Sequence, residues 1–431
     1  MATVTNMATT TADRATKPRR RVKSRSSALP RRSPVEWAVR LTLAAVAAVL
    51  GFYSVTFSLA QVIVDTQPEL AHQLAPYDGR ITAALAASLS GPEASEADRR
   101  RADGLARLAL RQDPTAVAAV TALGLNAAVR GDTAAARRLF LYSQKLSRRN
   151  LPTQLWLIED AVERGDVPGA LKHYDIALRV HPTMSELLFP VLATASSDPA
   201  IRAELIRTLA GRPAWGEGFI NFVAGNGPDP RSTATLLAGL RRAGVAVPQP
   251  AYAGAVNALL AAGQLDRAWA FYASVRPGAD RRRSRDPRFT ANPEPPSQLD
   301  WVPINDGTIS SSIQRGEGGG IFDFAAPPST GGPMLQQLQL LPAGAYRLSG
   351  HSSGIDQSAN ALPYWTLSCK DGEELGRVVV PNSGEAGGNF FGSFTVPAGC
   401  PMQTLTLVAR PSDVPSGLSG QIDRVLLEPV R

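Results

Sequence analysis

The segment "GDVPGALKHYDIALRVHP", Gly165 to Pro182, repeats the spacing of "GDTAAARRLFLYSQKLSRRN", which begins 34 residues upstream at Gly131. Small and large residues fall on matching positions of the two copies, whereas most of the polar residues differ. Such a pattern is typical of antiparallel helix pairs that stack on their neighbours, because each pair buries its apolar face only against the next one. We therefore predict helical hairpin repeats in the middle of the chain.

Each repeated position has a structural role. Gly lies at the turn, a small residue lies where the two helices touch, an aromatic ring fills the next groove and Pro ends the unit. This pattern resembles tetratricopeptide repeats over roughly residues 94–277, which implies a scaffold with a concave protein-binding surface and not a catalyst. The positions that carry the resemblance are Gly131, Ala136 and Phe140, then Gly165, Ala170, Tyr174, Ala177 and Pro182, and then Gly263, Ala268 and Tyr272.

The helical region as a whole is predicted to span residues 65–277. It is rich in Ala, Leu and Arg, with apolar residues at helical spacing and with Gly and Pro mostly at its breaks. Between residues 196 and 250 the 34-residue register is lost. We predict that stretch to be helical without assigning repeats to it.

The positive charge of the chain is concentrated at its N terminus. The 431 residues carry a net charge of +8, and residues 1–40 contain ten Lys and Arg against two acidic residues, so the remainder is neutral. A neutral remainder gives no reason to expect a nucleic-acid partner. We predict that residues 1–40 form a basic, disordered cytoplasmic tail that contacts anionic lipid.

Residues 41–64, "LTLAAVAAVLGFYSVTFSLAQVIV", contain no charged side chain. As a helix they extend about 36 Å, enough to cross a hydrocarbon core of about 30 Å. Lys and Arg stay on the cytoplasmic side, so we expect a single-pass signal-anchor in a bacterial inner membrane with the later domains in the periplasm. The alternatives are a buried core helix and a signal peptide cleaved after "SLA".

The final third of the chain changes from helical to period-two patterning. Residues 278–298 are charged and Pro-rich and are predicted to be a linker that continues into an extended strand entering the next domain. Residues 299–431 are predicted to form an all-β jelly-roll sandwich, because short β-branched and aromatic runs alternate with Gly and Pro turns. The predicted strands are 321–324, 334–341, 345–350, 364–369, 377–380, 390–396, 402–409 and 421–427.

The two cysteines, Cys369 and Cys400, both lie in this final third beside strand-like runs. In the oxidising compartment implied by the predicted topology, such a pair is expected to form a disulfide. Two free buried thiols and a metal site are the alternatives. Neither a CxxC motif nor a pair of histidines accompanies the cysteines to support metal binding.

The segments "LDWVP" at Leu299 and "GQIDRVLLEPV" near the end resemble the ends of galactose-binding-like jelly-roll modules. This resemblance implies carbohydrate binding through exposed aromatic rings and polar side chains, often with a structural calcium. The alternative is that the rings pack in the core and that the polar loop has no ligand. The candidates are Trp301 and Tyr364 for stacking, His351, Asp356, Gln357 and Asn360 for hydrogen bonding, and Asp423 for calcium.

Enzyme signatures are absent from the sequence. The four histidines are scattered, and the glycine-rich "GEGGG" at residues 316–320 lacks the Lys-Ser/Thr of a phosphate-binding loop. We therefore expect a non-catalytic, membrane-anchored adaptor without a cofactor, apart from the calcium. Its repeats would dock a protein and its sandwich would bind a glycan, as suits envelope polysaccharide assembly or export. The alternatives are a purely protein-protein scaffold with a structural sandwich and an unrecognised glycan-active enzyme.

Topology can be tested directly. A reporter that is active only outside the cytoplasm, fused after Arg431, is expected to be active, because the basic tail holds the N terminus inside. A fusion to a cytoplasm-only reporter at the same position serves as the control. If the cytoplasmic reporter is the active one, the predicted orientation is wrong.

Overall fold

The computed structural model describes residues 33–305, 307–316 and 318–430; residues 1–32 of the predicted tail lie outside this range. Within the described residues, fourteen α-helices precede ten β-strands arranged in two antiparallel sheets. The predicted order of a helical region followed by an all-β region is therefore confirmed.

The helices are bounded mostly by residues that favour helix starts and ends. Asp, Ser or Asn caps many of them, and Pro often stands in the first turn. The helices are α1 (Pro34–Ile63), α2 (Pro68–Leu74), α3 (Gly79–Ser88), α4 (Glu96–Gln112), α5 (Val117–Val129), α6 (Thr133–Leu146), α7 (Leu151–Glu163), α8 (Val167–Val180), α9 (Ser185–Ala195), α10 (Pro199–Ala210), α11 (Gly216–Asn226), α12 (Pro230–Arg242), α13 (Gln249–Ala261) and α14 (Leu265–Val275).

Helix α1 begins seven residues before the predicted apolar span, because Ser33 caps it and Pro34 occupies its first turn. The Ser33 hydroxyl oxygen accepts a hydrogen bond from the Glu36 backbone N–H at 3.3 Å. By length and composition α1 is the one helix among the described residues that qualifies to cross a membrane, with a mean hydropathy of 1.9. Its C-terminal end packs onto the helical domain, where Ala60 contacts a small cluster formed by Ala71, Ala75 and Ile81.

The repeated "GD" dipeptide explains how the helix pairs turn. Gly131 and Gly165 have φ values of 78° and 67°, in the left-handed region that favours glycine, and each follows the end of a helix. The next residue caps the following helix: the Asp132 carboxylate accepts from the Ala135 N–H at 2.9 Å, and Asp166 accepts from the Gly169 N–H at 3.0 Å. The turn between α5 and α6 and the turn between α7 and α8 therefore have the same Gly-Asp structure.

The small and aromatic positions of the repeat are buried as expected. Ala136 is fully buried and Ala170 is 5% exposed. Phe140 packs against Gly124 so closely that a Cβ added at Gly124 would lie 3.0 Å from the ring. The helix pairs thus pack as the spacing predicts, while their assignment to the tetratricopeptide type stays a prediction.

The region from 196 to 250 is helical, as predicted, and contains α10, α11 and α12. Its apolar side chains join those of the flanking helices in one core. Phe219, Leu205 and Leu236 are all fully buried there. Loss of the repeat register therefore leaves the core continuous.

The ten strands form two sheets packed face to face. The eight predicted strands are confirmed, and β1 and β2 were not predicted. The strands are β1 (Val302–Pro303), β2 (Ser310–Gly316), β3 (Gly319–Ala326), β4 (Gly332–Gln339), β5 (Gly344–Ser353), β6 (Tyr364–Cys369), β7 (Glu374–Val379), β8 (Asn389–Val396), β9 (Gln403–Ala409) and β10 (Leu418–Pro429). Sheet A has the order β1-β4-β9-β6-β7 and sheet B the order β2-β3-β10-β5-β8.

The predicted disulfide is confirmed: Cys369 and Cys400 are bonded, with their Cα atoms 5.6 Å apart. The bond ties the end of β6 to the loop that precedes β9. Its two ends are 31 residues apart in sequence, and closing such a loop stabilises a fold by about 3 to 4 kcal/mol in the chain-entropy picture.

The segment predicted to be a linker, residues 278–298, packs into the sandwich. Phe289 is fully buried beside Trp301 and Phe322. The Ser284 N–H donates to the Leu427 carbonyl and the Leu427 N–H donates to the Ser284 hydroxyl, both at 2.9 Å. The few apolar and hydrogen-bonding residues within this charged, Pro-rich segment attach it to the core.

Arg285, in the same segment, joins the helices to the sandwich. Its guanidinium is buried and donates to the Leu299 carbonyl at 3.0 and 2.8 Å, to Gln339 Oε1 at 2.8 Å and to the Leu338 carbonyl. It also lies 5.9 Å from the ring centroid of Trp269 on α14. Burial lowers the pKa of Arg285 to about 10, so the group is still cationic near neutral pH.

Apolar contacts continue across the same junction. The core of the helical domain includes four side chains from the sandwich region, namely Leu299, Leu338, Leu340 and Met402. Nearby, the Tyr272 hydroxyl donates to Asp300 Oδ1 at 2.9 Å. The two domains therefore share buried surface.

The helix contacts can be tested by overpacking. Ala136→Trp and Ala170→Trp are each expected to destabilise the protein by about 1 to 3 kcal/mol or more, because neither alanine has space for a larger side chain. Arg138→Ala, at an exposed position of α6, is expected to change stability by no more than about 0.5 kcal/mol. Equal melting temperatures for all three variants would show that the alanines do not pack against helices.

From these contacts we predict that a single substitution at Arg285 strongly lowers the free energy of unfolding. Arg285→Met leaves buried carbonyl and amide oxygens without donors, so we expect a loss of at least about 3 kcal/mol in urea denaturation of the detergent-solubilised chain. The control is Arg282→Met, since Arg282 is exposed and forms one ion pair of 3.6 Å. If the two variants were equally stable, Arg285 would not join the domains.

Candidate functional site

Trp301, one of the two predicted stacking rings, is buried. It is 4% exposed, its indole N–H donates to the Asp286 carbonyl at 3.0 Å, and its ring packs against Phe289 and Trp365. A ring with both faces in the core has no surface for a sugar. The prediction that Trp301 stacks on a ligand is therefore wrong.

Tyr364, the second ring, lies on the outer face of sheet A. The guanidinium groups of Arg377 and Arg410 each lie 4.7 Å from its ring centroid, so cation-π contacts already occupy much of its surface. His351 lies on β5 in sheet B. The structure therefore separates the predicted residues between two sheets and does not bring them together in one site.

The polar loop after β5 has a partly structural role. Gln357 is 7% exposed; its side-chain N–H donates to the Gly417 carbonyl at 3.0 Å, and its side-chain oxygen accepts from the Ser412 hydroxyl. These bonds fix the loop and leave Gln357 unavailable, so its assignment as a glycan ligand is wrong. Asp356 and Asn360 are exposed, and their role stays a prediction.

A different surface, the outer face of sheet B, combines polar side chains with an exposed ring. Arg347, Ser349 and His351 are on alternate positions of β5 and point to the same side. Phe391 on β8 pairs with Ser349 and is 78% exposed. Because Phe390 is buried and adjacent residues of a strand face opposite sides, Phe391 must face the solvent.

A groove of about 710 Å³ adjoins this face. It forms where the β2–β3 hairpin meets β10 and the end of β5. The β10 register shifts between Ile422 and Arg424, so two consecutive residues, Asp423 and Arg424, are exposed. The side chains that line the groove are Arg288, Gln314, Arg315, Ile321, His351, Asp423 and Arg424.

His351 and Asp423 form a pair in this groove. The His351 Nδ1 atom lies 3.0 Å from each oxygen of the Asp423 carboxylate, so the two groups orient each other. Asp423 therefore has a side-chain partner in the described part of the chain. Its assignment as a calcium ligand stays a prediction.

One group of potential metal-binding side chains occurs in the described part of the chain: Cys369, Asp371 and Glu373. The Cys369 sulfur is bonded to Cys400 and therefore offers no thiolate. Without a thiolate the group reduces to two exposed carboxylates, which are common on protein surfaces.

Sequence reasoning identified His351 and Asp423 as separate candidates but missed the arginines and Phe391. The available signal for Phe391 was the pair "FF" at residues 390–391 inside a predicted strand, since one of two adjacent side chains must face outward. The arginines could not be grouped from sequence, because they come from β2, β10 and the segment before the sandwich.

No family model and no curated protein matches the sequence. Among solved structures, the chain is similar to a CBM4 structure, with 13% identity, coverage of 34% of this chain and 99% of that chain, and a TM-score of 0.26. It is also similar to a carbohydrate-binding module from Cellvibrio mixtus lichenase 5A in complex with cellotriose, with 11% identity, coverage of 31% and 98%, and a TM-score of 0.21.

A further similarity is to the enzymatically active domain of tailspike protein 4 of bacteriophage CBA120, with 9% identity and a TM-score of 0.22. That match covers 30% of this chain and spans about a fifth (19%) of the tailspike chain. The function of the present chain has to be inferred from its own side chains.

Proposed function

We propose that the β-sandwich is a jelly-roll glycan-binding module and that its binding site is the outer face of sheet B. The exposed Phe391 is the observation that carries this proposal. An aromatic ring on the polar outer face of the edge strand β8 suits the C–H face of a sugar.

The surroundings of Phe391 supply hydrogen-bonding groups for sugar hydroxyls. His351 and Asp423 lie toward one end of the face. Gln421 lies two residues before Asp423 on β10, and its side-chain N–H donates to Asp323 Oδ2 at 2.8 Å. Paired groups of this kind are held in place before a ligand arrives, which lowers the entropy cost of binding.

The module is held at a membrane in this proposal. Helix α1 crosses the bacterial inner membrane, the basic tail stays in the cytoplasm, and both domains lie in the periplasm. The length and apolar character of α1 support this arrangement, as does the disulfide, because such bonds persist in oxidising compartments.

The helical domain serves as a tetratricopeptide-like docking scaffold for a protein partner. The shared turns of α5–α6 and α7–α8 support the repeat assignment. Leu187 and Val191, one helical turn apart on α9, are 58% and 49% exposed and offer a small apolar patch for contact. The whole chain then works as a non-catalytic adaptor in envelope polysaccharide assembly or export.

Phe391→Ala is expected to weaken glycan binding by about tenfold, since stacking on an aromatic side chain is worth about 1 kcal/mol or more. The measurement is isothermal titration of the full chain in nanodiscs with envelope polysaccharide from the source bacterium. Tyr364→Ala, on the opposite sheet, is the matched control and is expected to bind like the unmodified chain.

Two results would contradict the proposal. If the unmodified chain binds no envelope polysaccharide, the sandwich is structural. If the bound glycan is cleaved, with new reducing ends released over hours, the chain is an enzyme and not an adaptor.

A further inference from the structure

Two groups of arginines lie at opposite ends of the outer face of sheet B. The groove arginines are Arg288, Arg315 and Arg424, which line the 710 Å³ groove. The edge arginines are Arg282, Arg283 and Arg347, which line a second groove of about 570 Å³ together with Glu428. Binding of neutral sugars alone does not require two groups of positively charged side chains.

The groove arginines have little internal compensation. Within the described residues none of the three forms an ion pair, and Arg315 donates to the Ala291 carbonyl at 2.8 Å and to the Ile313 carbonyl at 3.5 Å. The Asp423 carboxylate beside them already accepts from His351. Their remaining N–H donors are therefore available for an anionic ligand.

The edge arginines share few carboxylates. Arg283 and Arg347 both contact Glu428 at 3.5 Å, and Arg282 and Arg283 contact Asp280 at 3.6 and 3.9 Å. Each guanidinium has five donors, so the two carboxylates Asp280 and Glu428 leave most of the donors of the three exposed arginines facing solvent. This end of the face therefore keeps a net positive charge, with three guanidinium groups against two carboxylates.

Strand β5 sets the distance between the two ends. Arg347, Ser349 and His351 face the same side, and four residues of extended strand cover about 14 Å. Along β5, Ser349 lies between Arg347 and His351, and Phe391 pairs with Ser349 from the neighbouring edge strand β8. A ligand that reaches both ends and covers the ring must be a chain of several units with negative charge at intervals.

We infer that the ligand is an acidic polysaccharide whose uronate carboxylates bind the two groups of arginines while one of its sugar rings lies on Phe391. This inference rests on the proposed glycan-binding function and adds the ligand class. Guanidinium groups bind carboxylates through paired hydrogen bonds, so the arrangement favours spaced carboxylates over neutral hydroxyls.

The experiment compares one polymer with and without its charge. The full chain, in nanodiscs of zwitterionic lipid, is titrated with polygalacturonate and with the same polymer after reduction of its carboxyl groups. We expect the acidic form to bind at least tenfold more tightly, and the difference to shrink as salt is raised.

Single substitutions test whether the charge-dependent binding occurs at the outer face of sheet B. Arg424→Gln and Arg347→Gln are each expected to weaken polygalacturonate binding by about tenfold and to leave the reduced polymer unaffected. Arg138→Gln, on the helical domain, is a control with the same loss of charge. A second control, R19Q/R20Q/R21Q, removes charge from the basic tail. Both controls are expected to bind like the unmodified chain.

The outcomes separate the two proposals. Equal binding of the acidic and reduced polymers, with both weakened by Phe391→Ala, overturns the acidic ligand and leaves glycan binding intact. Absence of binding to these polymers and to envelope polysaccharide overturns both. If the tail variant loses as much affinity as Arg424→Gln, the tail is the anion site and the inference fails.

Two phosphate-containing polyanions test whether the site prefers uronate carboxylates to phosphates. Poly(glycerol phosphate) and single-stranded oligo(dT) are expected to bind at least tenfold more weakly than polygalacturonate, since neither places a sugar carboxylate over each group of arginines. Equal affinity for either polymer would show binding to phosphate in general and would overturn the assignment to uronates.

Discussion

The buried guanidinium of Arg285 is the interaction on which the arrangement of the two domains depends. It donates to carbonyls and an amide of the sandwich and lies over Trp269 of the last helix. A cation without such acceptors would be expensive to bury. Leu299, Leu338 and Met402 then extend the helical core across the same boundary, so the sandwich is fixed to the end of the helices.

The same segment contributes to the candidate site. Arg288 lies three residues after Arg285 and one before the buried Phe289, and its carbonyl accepts from the Gly320 N–H at 2.8 Å in the β2–β3 hairpin. The contacts that join the domains therefore also place one groove arginine against the hairpin. Folding and site assembly depend on one short stretch of chain.

Much of the architecture could be predicted from local patterns. The "GD" turns, the buried alanines and the eight predicted strands follow from periodicity and turn chemistry. Strand β2 was missed because "SSSIQRG" lacks apolar alternation, which an edge strand does not need. The packing of the 278–298 segment could not be predicted, because composition describes an average, whereas Arg285 and Phe289 act as individual buried residues.

The site was harder to predict because it depends on contacts between distant residues. His351 and Asp423 are 72 residues apart and meet only through the pairing of β5 with β10. Trp301 and Tyr364 were plausible rings, but an aromatic residue in or beside a strand is as suited to a core as to a ligand. Only the burial of each side chain in the folded sandwich shows which rings face outward.

The docking of α1 on the helical domain has a geometric consequence. Ala60 packs against Ala71 and Ala75 where the apolar helix ends, and the helices that follow are joined to the sandwich by buried contacts and not by a flexible tether. A module on a long flexible chain samples a range of heights above a bilayer. Here the outer face of sheet B is instead held in one orientation relative to the axis of α1, because buried contacts join each element to the next.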